Sequence, residues 1–136
     1  MTEWIISANG EMYDHSSSFE HYGFIDWRQG KTKYEINDIV YIYCTSPISS
    51  IRYKCIVEKK DLLFSETRDD KEYWKKIEEY ERLIEGTYFR LKLISQINNE
   101  SLNLSFLKSN GLNAAPLGPI RLIIFSFLTS KFISLI

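Results

Sequence analysis

Few residues of this chain stand in a pattern that supports catalysis. The histidines, His15 and His21, are too far apart for one helical face and join no cluster with metal-ligand spacing. The cysteines, Cys44 and Cys55, lie in apolar segments without a CxxC motif, which favours reduced thiols that fill the core. A glycine-rich phosphate loop and a GxSxG motif are both absent from the sequence. We therefore predict a protein that is not an enzyme and that uses no metal or cofactor.

Aromatic side chains are the residues best suited to hold a ligand. They make up 15 % of the chain, as nine Tyr, eight Phe and three Trp. Trp27 stands out because its neighbours Asp26, Arg28 and Gln29 are polar, which indicates a loop. A tryptophan in such a loop either closes one end of a core or offers a face on which a flat ring stacks. Core packing is favoured, since large aromatic residues are usually buried, and stacking stays open.

Length and charge limit the class of protein. A chain of 136 residues suits a single domain over 1–136, and 44 % hydrophobic with 26 % charged residues is typical of a globular chain. The formal net charge of −1 excludes a protein that coats nucleic acid by bulk electrostatics. Residues 28–60 hold seven basic against three acidic side chains. This excess predicts either a local basic face or ordinary solubilising charge.

Hydrophobic periodicity, caps and turn residues predict the elements that must position these side chains. The predicted order is a strand over 3–8, a helix from Asp14 to Tyr22, strands over 39–44 and 51–60, a helix from Arg68 to Glu85, a strand from Thr87 to Ile97 and a helix from Ser101 to Asn110. The strand IVYIYC is apolar on both faces, so we expect it to be covered on both sides. In the next strand, Ile51, Tyr53, Cys55 and Val57 are expected to share a buried face.

Four segments carry a resemblance to a known family. They are WIISANGEMYD, FIDWRQ, INDIVYIYCTSPISSIRYKCIVEK and GLNAAPLGPIR, in that order. Together they resemble the EVE domain of the PUA-like superfamily, in the version found in prokaryotic restriction-type proteins. The resemblance runs from Trp4 to Arg121, and its most specific part is the strand Asp-Ile-Val-Tyr-Ile-Tyr with the Thr-Ser-Pro sequence that follows it. Residues 122–136 depart from the family pattern.

The resemblance implies a fold and a site. The fold is a small β-barrel with peripheral helices, of α+β class, and the site is a pocket for a flipped, covalently modified base. Aromatic walls replace the stacking that a flipped base has lost, and polar groups read its edge. The residues implied are Trp27 and Tyr43 as walls, Ser7, Asn9 and Ser46 as edge readers, and Arg52, Lys54 and Arg121 as phosphate contacts.

The resulting functional prediction is a binding module for nucleic acid. It would recognise a methylated or hydroxymethylated base in DNA as the targeting component of a prokaryotic defence or restriction system, with a nuclease or GTPase as partner. Two alternatives stay open. One is an RNA-binding PUA-like protein, and the other is an interaction domain that holds a small ligand in its aromatic pocket.

The ends of the chain carry predictions about location and assembly. The first residues show no secretory signal, so we expect a cytoplasmic protein. The segment from Leu122 to Ile136 is apolar but shorter than a membrane span, and Ser126, Ser130 and Ser134 mark one narrow polar stripe on it. A helix so apolar needs cover on more than one face, which predicts self-association through this segment.

Overall fold

The computed structural model of the chain describes residues 1–82 and 85–122. Six strands and three α-helices lie in these residues. In chain order they are β1 (Glu3–Ala8), α1 (His15–Tyr22), β2 (Phe24–Arg28), β3 (Ile39–Cys44), β4 (Ser50–Leu63), α2 (Ile77–Glu81), β5 (Thr87–Gln96), α3 (Leu104–Ser109) and β6 (Ile120–Arg121). The α+β class predicted from the sequence is confirmed.

The strands form one mixed sheet in the order β2-β5-β4-β3-β1-β6. β1 runs parallel to β3, and the other four neighbouring pairs of this sheet are antiparallel. A barrel requires the two edge strands to pair, and β2 and β6 do not pair within the described residues. The predicted barrel is therefore not confirmed, and the described sheet is open.

The central strand β3 divides its side chains between two hydrophobic clusters. All six of its residues are buried, as the two-faced apolar pattern predicts. Val40, Ile42 and Cys44 belong to a first cluster that also contains Phe19 of α1. The alternate residues Ile39, Tyr41 and Tyr43 belong to a second cluster that contains Leu107 of α3. Because successive side chains of a strand point to opposite faces, the two clusters lie on the two sides of the sheet.

One predicted face of β4 is split between these clusters. Tyr53, Cys55 and Val57 lie in the first cluster, whereas Ile51 lies in the second. The register between β3 and β4 shifts at Ile42/Tyr43, where a bulge breaks the strict alternation of side chains. The prediction that all four residues share one face was wrong for Ile51.

Helix α1 begins and ends where its sequence predicts. The Asp14 carboxylate accepts a hydrogen bond from the backbone N–H of Ser17 at 3.2 Å, which caps the first turn. Gly23 ends the helix with φ 76°, the left-handed conformation that glycine adopts without a Cβ clash. The helix packs on the first cluster through Phe19.

The predicted helix from Arg68 to Glu85 was wrong in extent. Its range holds a 3-10 turn at Lys71–Tyr73 and the five-residue helix α2, and residues 83 and 84 lie outside the described part. The backbone of this stretch forms hydrogen bonds with the segment before α1. The carbonyl of Tyr73 accepts from the N–H of Asp14 at 2.8 Å, and the N–H of Lys75 donates to the carbonyl of Met12 at 2.8 Å. Tertiary pairing with the segment before α1 thus replaces the helical bonds of this stretch.

Two further elements differ from the sequence-based assignment. Trp27 lies in the edge strand β2, opposite Phe89 of β5, and not in a loop. Helix α3 is capped by Asn103, whose side chain accepts from the N–H of Phe106 at 2.9 Å, and not by Ser101. Because an edge strand exposes one side to water, the residues next to Trp27 are polar, and a polar sequence resembles that of a loop.

The C-terminal segment lies almost wholly outside the described residues. Leu122 is buried in the second cluster, and the predicted self-association through residues 123–136 concerns a part that the structure does not describe. Within the described ranges, no helix is long and apolar enough to cross a membrane.

Candidate functional site

An aromatic cavity of about 180 Å³ opens beside the edge strand β2. Its walls come from four parts of the chain: the segment from the end of β1 to the start of α1, the strand β2, the stretch between β4 and α2, and the start of β5. Five of its lining residues are aromatic: Tyr13, Trp27, Phe64, Trp74 and Tyr88. We call it the aromatic cavity.

The rings around His15 form a connected wall of this cavity. The imidazole of His15 stacks on the indole of Trp27, with 5.3 Å between centroids and 28° between planes. The ring centroid of Tyr13 lies 4.9 Å from that of His15. Trp74 meets Tyr13 edge to face, also at 4.9 Å. Such offset and edge contacts are the arrangements that aromatic pairs prefer, so the wall holds its shape without a ligand.

Asp70 joins the two sides of this wall. One carboxylate oxygen accepts from the hydroxyl of Tyr13 at 3.1 Å, and the other accepts from the indole N–H of Trp74 at 3.1 Å. Burial raises the pKa of Asp70 above its ordinary value. The carboxyl group therefore orients both rings and keeps unused lone pairs at the cavity wall.

Asp26 holds the cavity's edge strand in place. It accepts two hydrogen bonds from the guanidinium of Arg90, at 2.8 and 3.1 Å, and a third from the backbone N–H of Arg68 at 2.8 Å. The side chain of Asp26 is only 3 % exposed. The bidentate pair links β2 to β5, and the bond from Arg68 links β2 to the stretch after β4.

His15 is a buried polar side chain of the wall. It is 9 % exposed. Burial lowers the pKa of His15 to about 4. The imidazole is therefore neutral at pH 7 and presents one donor and one acceptor.

Basic side chains stand at the rim. Arg28 and Arg68 line the aromatic cavity, and both are exposed. The guanidinium carbon of Arg68 lies 3.1 Å from the centre of the Tyr22 ring, a cation–π contact. Arg28 donates to the carbonyl of Glu85 at 3.2 Å. The rim thus places positive charge beside a pocket with aromatic walls.

A second cavity of about 350 Å³ lies next to the first. Trp27 and Arg28 line both cavities. The remaining walls come from β1, the residues after β2 and the loop before β6, with Ser7, Lys31 and Leu117 as examples. We call it the rim cavity.

Comparison with known proteins gives the fold. No protein-family model matches the chain, and no curated protein matches it either. The structure of ASCH from Zymomonas mobilis is similar, with 22 % identity and a TM-score of 0.66, over 98 % of this chain and 94 % of that chain. A single-residue variant of that protein gives 21 % identity and a TM-score of 0.68, over 98 % and 95 %. This chain has an ASCH-like fold.

A third solved structure agrees with this assignment. A Pseudomonas syringae protein is 13 % identical with a TM-score of 0.63, over 96 % of this chain and 98 % of that chain. At identities of 13–22 % these structures show the fold alone, so the PUA-like superfamily stays a prediction from the resemblance. The EVE domain in particular is not shown and stays a prediction.

The ASCH-like fold brings three of the sequence-predicted site residues to the two cavities. Trp27 lines both cavities, Asn9 lines the aromatic cavity, and Ser7 lines the rim cavity. The side-chain oxygen of Asn9 accepts from the N–H of Glu11 at 2.9 Å, which directs the amide group of Asn9. These residues come from β1, its following turn and β2.

Tyr43 and Ser46 are placed elsewhere. Tyr43 is 1 % exposed in the second cluster, on the opposite side of the sheet from the first cluster against which Trp27 packs. Ser46 is exposed and lines neither cavity. The alternation of side chains along β3 sends Tyr43 away from the cavity, so the implied Trp27–Tyr43 wall is not assembled.

The basic residues implied as phosphate contacts also lie away from both cavities. Arg52 and Lys54 are half-buried on β4, and the Nε of Arg52 is buried without a hydrogen-bond partner among the described residues. Arg121 is exposed on β6, with its guanidinium 5.8 Å from the centre of the Trp4 ring. The cations at the cavities are instead Arg28, Lys31 and Arg68.

Sequence reasoning missed Tyr13, His15, Asp70 and Trp74 as wall residues. Tyr13 and Asp70 are 57 positions apart, so no local spacing connects them. A weak signal existed in the aromatic residues beside acidic ones, at YD in 13–14 and at EYW in 72–74. As for metal ligands, the described residues contain no group of three His, Cys, Asp or Glu side chains that could hold an ion.

Proposed function

We propose that this domain binds nucleic acid by taking one unstacked base into the aromatic cavity. The observation that carries the proposal is the cavity itself, with five aromatic lining residues and a volume of about 180 Å³. An apolar cavity of roughly 150 Å³ holds a benzene ring, so this one has room for a single flat base. Base–aromatic stacking contributes about 1–3 kcal/mol per base.

Polar groups in the wall support a base over a purely apolar ligand. His15 supplies one donor and one acceptor, Asp70 supplies acceptor lone pairs, and Asn9 supplies an amide. Bases are distinguished by such donors and acceptors on their edges. Arg28 and Arg68 at the rim would contact the backbone, although the net charge of the chain is −1.

The finer proposal is a modified base in DNA. A methyl or hydroxymethyl group adds area that an aromatic wall can cover, which favours the modified base over the plain one. In duplex DNA the base must be flipped out, and aromatic rings compensate for its lost stacking. A targeting role in a defence or restriction system, with a nuclease or GTPase partner, extends this proposal and rests on the EVE resemblance.

We further propose a binding module and not a catalyst. The nucleophiles considered from the sequence, Cys44 and Cys55, are both buried. Burial raises the pKa of Cys44 to about 11 and raises that of Cys55 as well. Both thiols therefore stay protonated near neutral pH, whereas a cysteine nucleophile needs the thiolate.

A panel of fluorescently labelled oligonucleotides tests the binding proposal. The panel contains DNA with one methylated, one hydroxymethylated or no modified base, and RNA of the same sequence, with anisotropy as the readout. We expect the tightest binding to modified DNA and a linear decrease of log affinity with log salt. Preferred binding of RNA would keep the base-pocket proposal and overturn the DNA assignment. Affinity for a free metabolite without salt dependence would favour the small-ligand alternative.

Trp27→Ala then tests the cavity. It should weaken binding of the preferred oligonucleotide by about 1–3 kcal/mol, the contribution of one stacking contact. Phe106→Ala is the matched control, because Phe106 is a partly buried aromatic residue packed on the second cluster. Circular dichroism establishes that both variants are folded. Equal binding by folded Trp27→Ala and wild type would contradict the cavity assignment.

A further inference from the structure

The two cavities that share Trp27 differ in their lining charges. The aromatic cavity is lined by two carboxyl groups, of Asp26 and Asp70, and by two guanidinium groups, of Arg28 and Arg68. The rim cavity is lined by two cations, Arg28 and Lys31, and its lining contains no Asp or Glu among the described residues. Such a cavity suits an anion, and its position suits an anion attached to whatever fills the aromatic cavity.

Lys31 is the lining cation that is available to bind such an anion. It is exposed, and none of the ion pairs of the described residues includes it. Gln29 is already engaged, since its side chain both donates to and accepts from Asp61 at 2.9 Å. Arg28 donates one N–H to the carbonyl of Glu85, and its guanidinium has further N–H donors.

Hydroxyl groups add further donors to the rim cavity. Ser7 of β1 and Thr32, which follows β2, both line this cavity. Phosphate oxygens accept from hydroxyls as well as from Lys and Arg. The volume of about 350 Å³ is nearly twice that of the aromatic cavity, which leaves room for a sugar as well as a phosphate.

We propose that the rim cavity is the phosphate subsite for the nucleotide whose base occupies the aromatic cavity. Lys31 and Arg28 contact the phosphate, and Trp27 separates base from phosphate. The proposal rests on the proposed function, and it adds the part of the ligand that the second cavity takes. The phosphate is either an internal phosphodiester or a terminal monophosphate, since the same donors suit both.

Lys31→Gln tests the subsite, with Lys33→Gln as the matched control. Lys33 is exposed two residues further along the same loop and does not line the cavity. We expect Lys31→Gln to weaken binding of the preferred oligonucleotide by about 3- to 10-fold and to lower the salt slope by about one, the effect of one lost phosphate contact. Lys33→Gln should change both by much less.

Oligonucleotides with a neutral methylphosphonate at a single position then locate the phosphate. Neutralising the phosphate beside the target base should weaken wild type but leave Lys31→Gln nearly unchanged. A terminal-phosphate arm, with and without a 5′- or 3′-monophosphate, shows which source is bound. The subsite is overturned if Lys31→Gln and Lys33→Gln behave alike, or if every methylphosphonate affects Lys31→Gln as it affects wild type. If binding still depends on Trp27 in that case, the proposed function is retained and only the subsite is rejected. If wild type binds no oligonucleotide, the proposed function and the subsite are both contradicted.

Discussion

At the scale of single residues, His15 is the side chain with the clearest environment. It is stacked on Trp27, beside Tyr13, and its own charge is disfavoured by burial. Burial and the charge of Lys75 lower the pKa of His15, whereas the charge of Asp14 raises it. A neutral imidazole in this position can read a base edge without adding a positive charge to the wall. Its titration is therefore a measurable property of the site.

His15 predicts a loss of stability in mild acid. The pKa of His15 is about 4 in the folded protein, below its ordinary value of 6.5, so between these values the unfolded chain binds a proton that the folded protein does not. The stability from neutral His15 is complete above pH 6.5 and is lost as the pH falls towards 4. The loss is at most about 3 kcal/mol.

Urea unfolding between pH 7 and pH 4 measures this effect. His15→Gln should show a flatter dependence of the free energy of unfolding on pH than wild type. His21→Gln, which removes the exposed imidazole, is the matched control. Parallel curves for wild type and His15→Gln would mean that His15 titrates freely, and the description of the wall would be wrong.

At the scale of elements, two local devices position the cavity: the end of α1 and the ion pair of β2. α1 must end abruptly so that β2 can begin at Phe24, directly after Gly23. The conformation of Gly23, with φ 76°, turns the chain there. The pair formed by Asp26 and Arg90 then fixes β2 against β5. Each device can be tested by one substitution with a matched control.

Gly23→Ala should lower the free energy of unfolding by about 1 kcal/mol, because an L side chain disfavours the left-handed conformation. Gly10→Ala is the control, since a Cβ at either glycine would meet nothing within 4 Å and only Gly23 has a positive φ. Thermal or urea denaturation measures both. Equal effects at the two positions would show that backbone conformation is not the cause.

Asp26→Asn should lower the free energy of unfolding by about 3 kcal/mol. The change leaves Arg90, which is only 15 % exposed, without its anionic partner, and a buried charge left alone is strongly destabilising. Glu35→Gln is the control, because it breaks the exposed pair with Lys60 at 3.0 Å and should have no measurable effect. If both variants unfold like wild type in urea, the pair does not stabilise the position of β2.

At the scale of the whole molecule, the sheet separates two functions of the aromatic residues. The second cluster, with Tyr41 and Tyr43, is core between the sheet and α3. The first cluster continues into the aromatic cavity through Tyr13, Trp27 and Trp74. Aromatic residues therefore form core on both faces of the sheet, and on the face of the first cluster some of them also line the aromatic cavity.

The C-terminal segment is predicted to mediate self-association. The apolar residues of 122–136 predict a homodimer or larger assembly through the C-terminal segment. A chain that ends at Leu122 keeps this residue, which is buried in the second cluster. Light scattering should show a larger particle for the full chain than for this shortened chain. Monomers of equal stability in both cases would contradict the prediction.

The parts of the fold that depend on local rules are predictable from the sequence. The strand 3–8, the helix between Asp14 and Gly23, and the two-faced burial of β3 all follow from caps, turns and side-chain alternation, and each is confirmed. Trp27 was identified as a candidate, although its strand was not, because an edge strand in polar surroundings resembles a loop.

The composition of the cavities depends on contacts between distant parts of the chain. Tyr13, Asp70 and Trp74 meet because backbone bonds join the segment before α1 to the stretch after β4, and these bonds replace the helix that local periodicity predicts. Tyr43 leaves the site because alternation on β3 points it to the other face. Local patterns describe how one element presents its side chains, whereas a cavity depends on which distant elements pair and with what register.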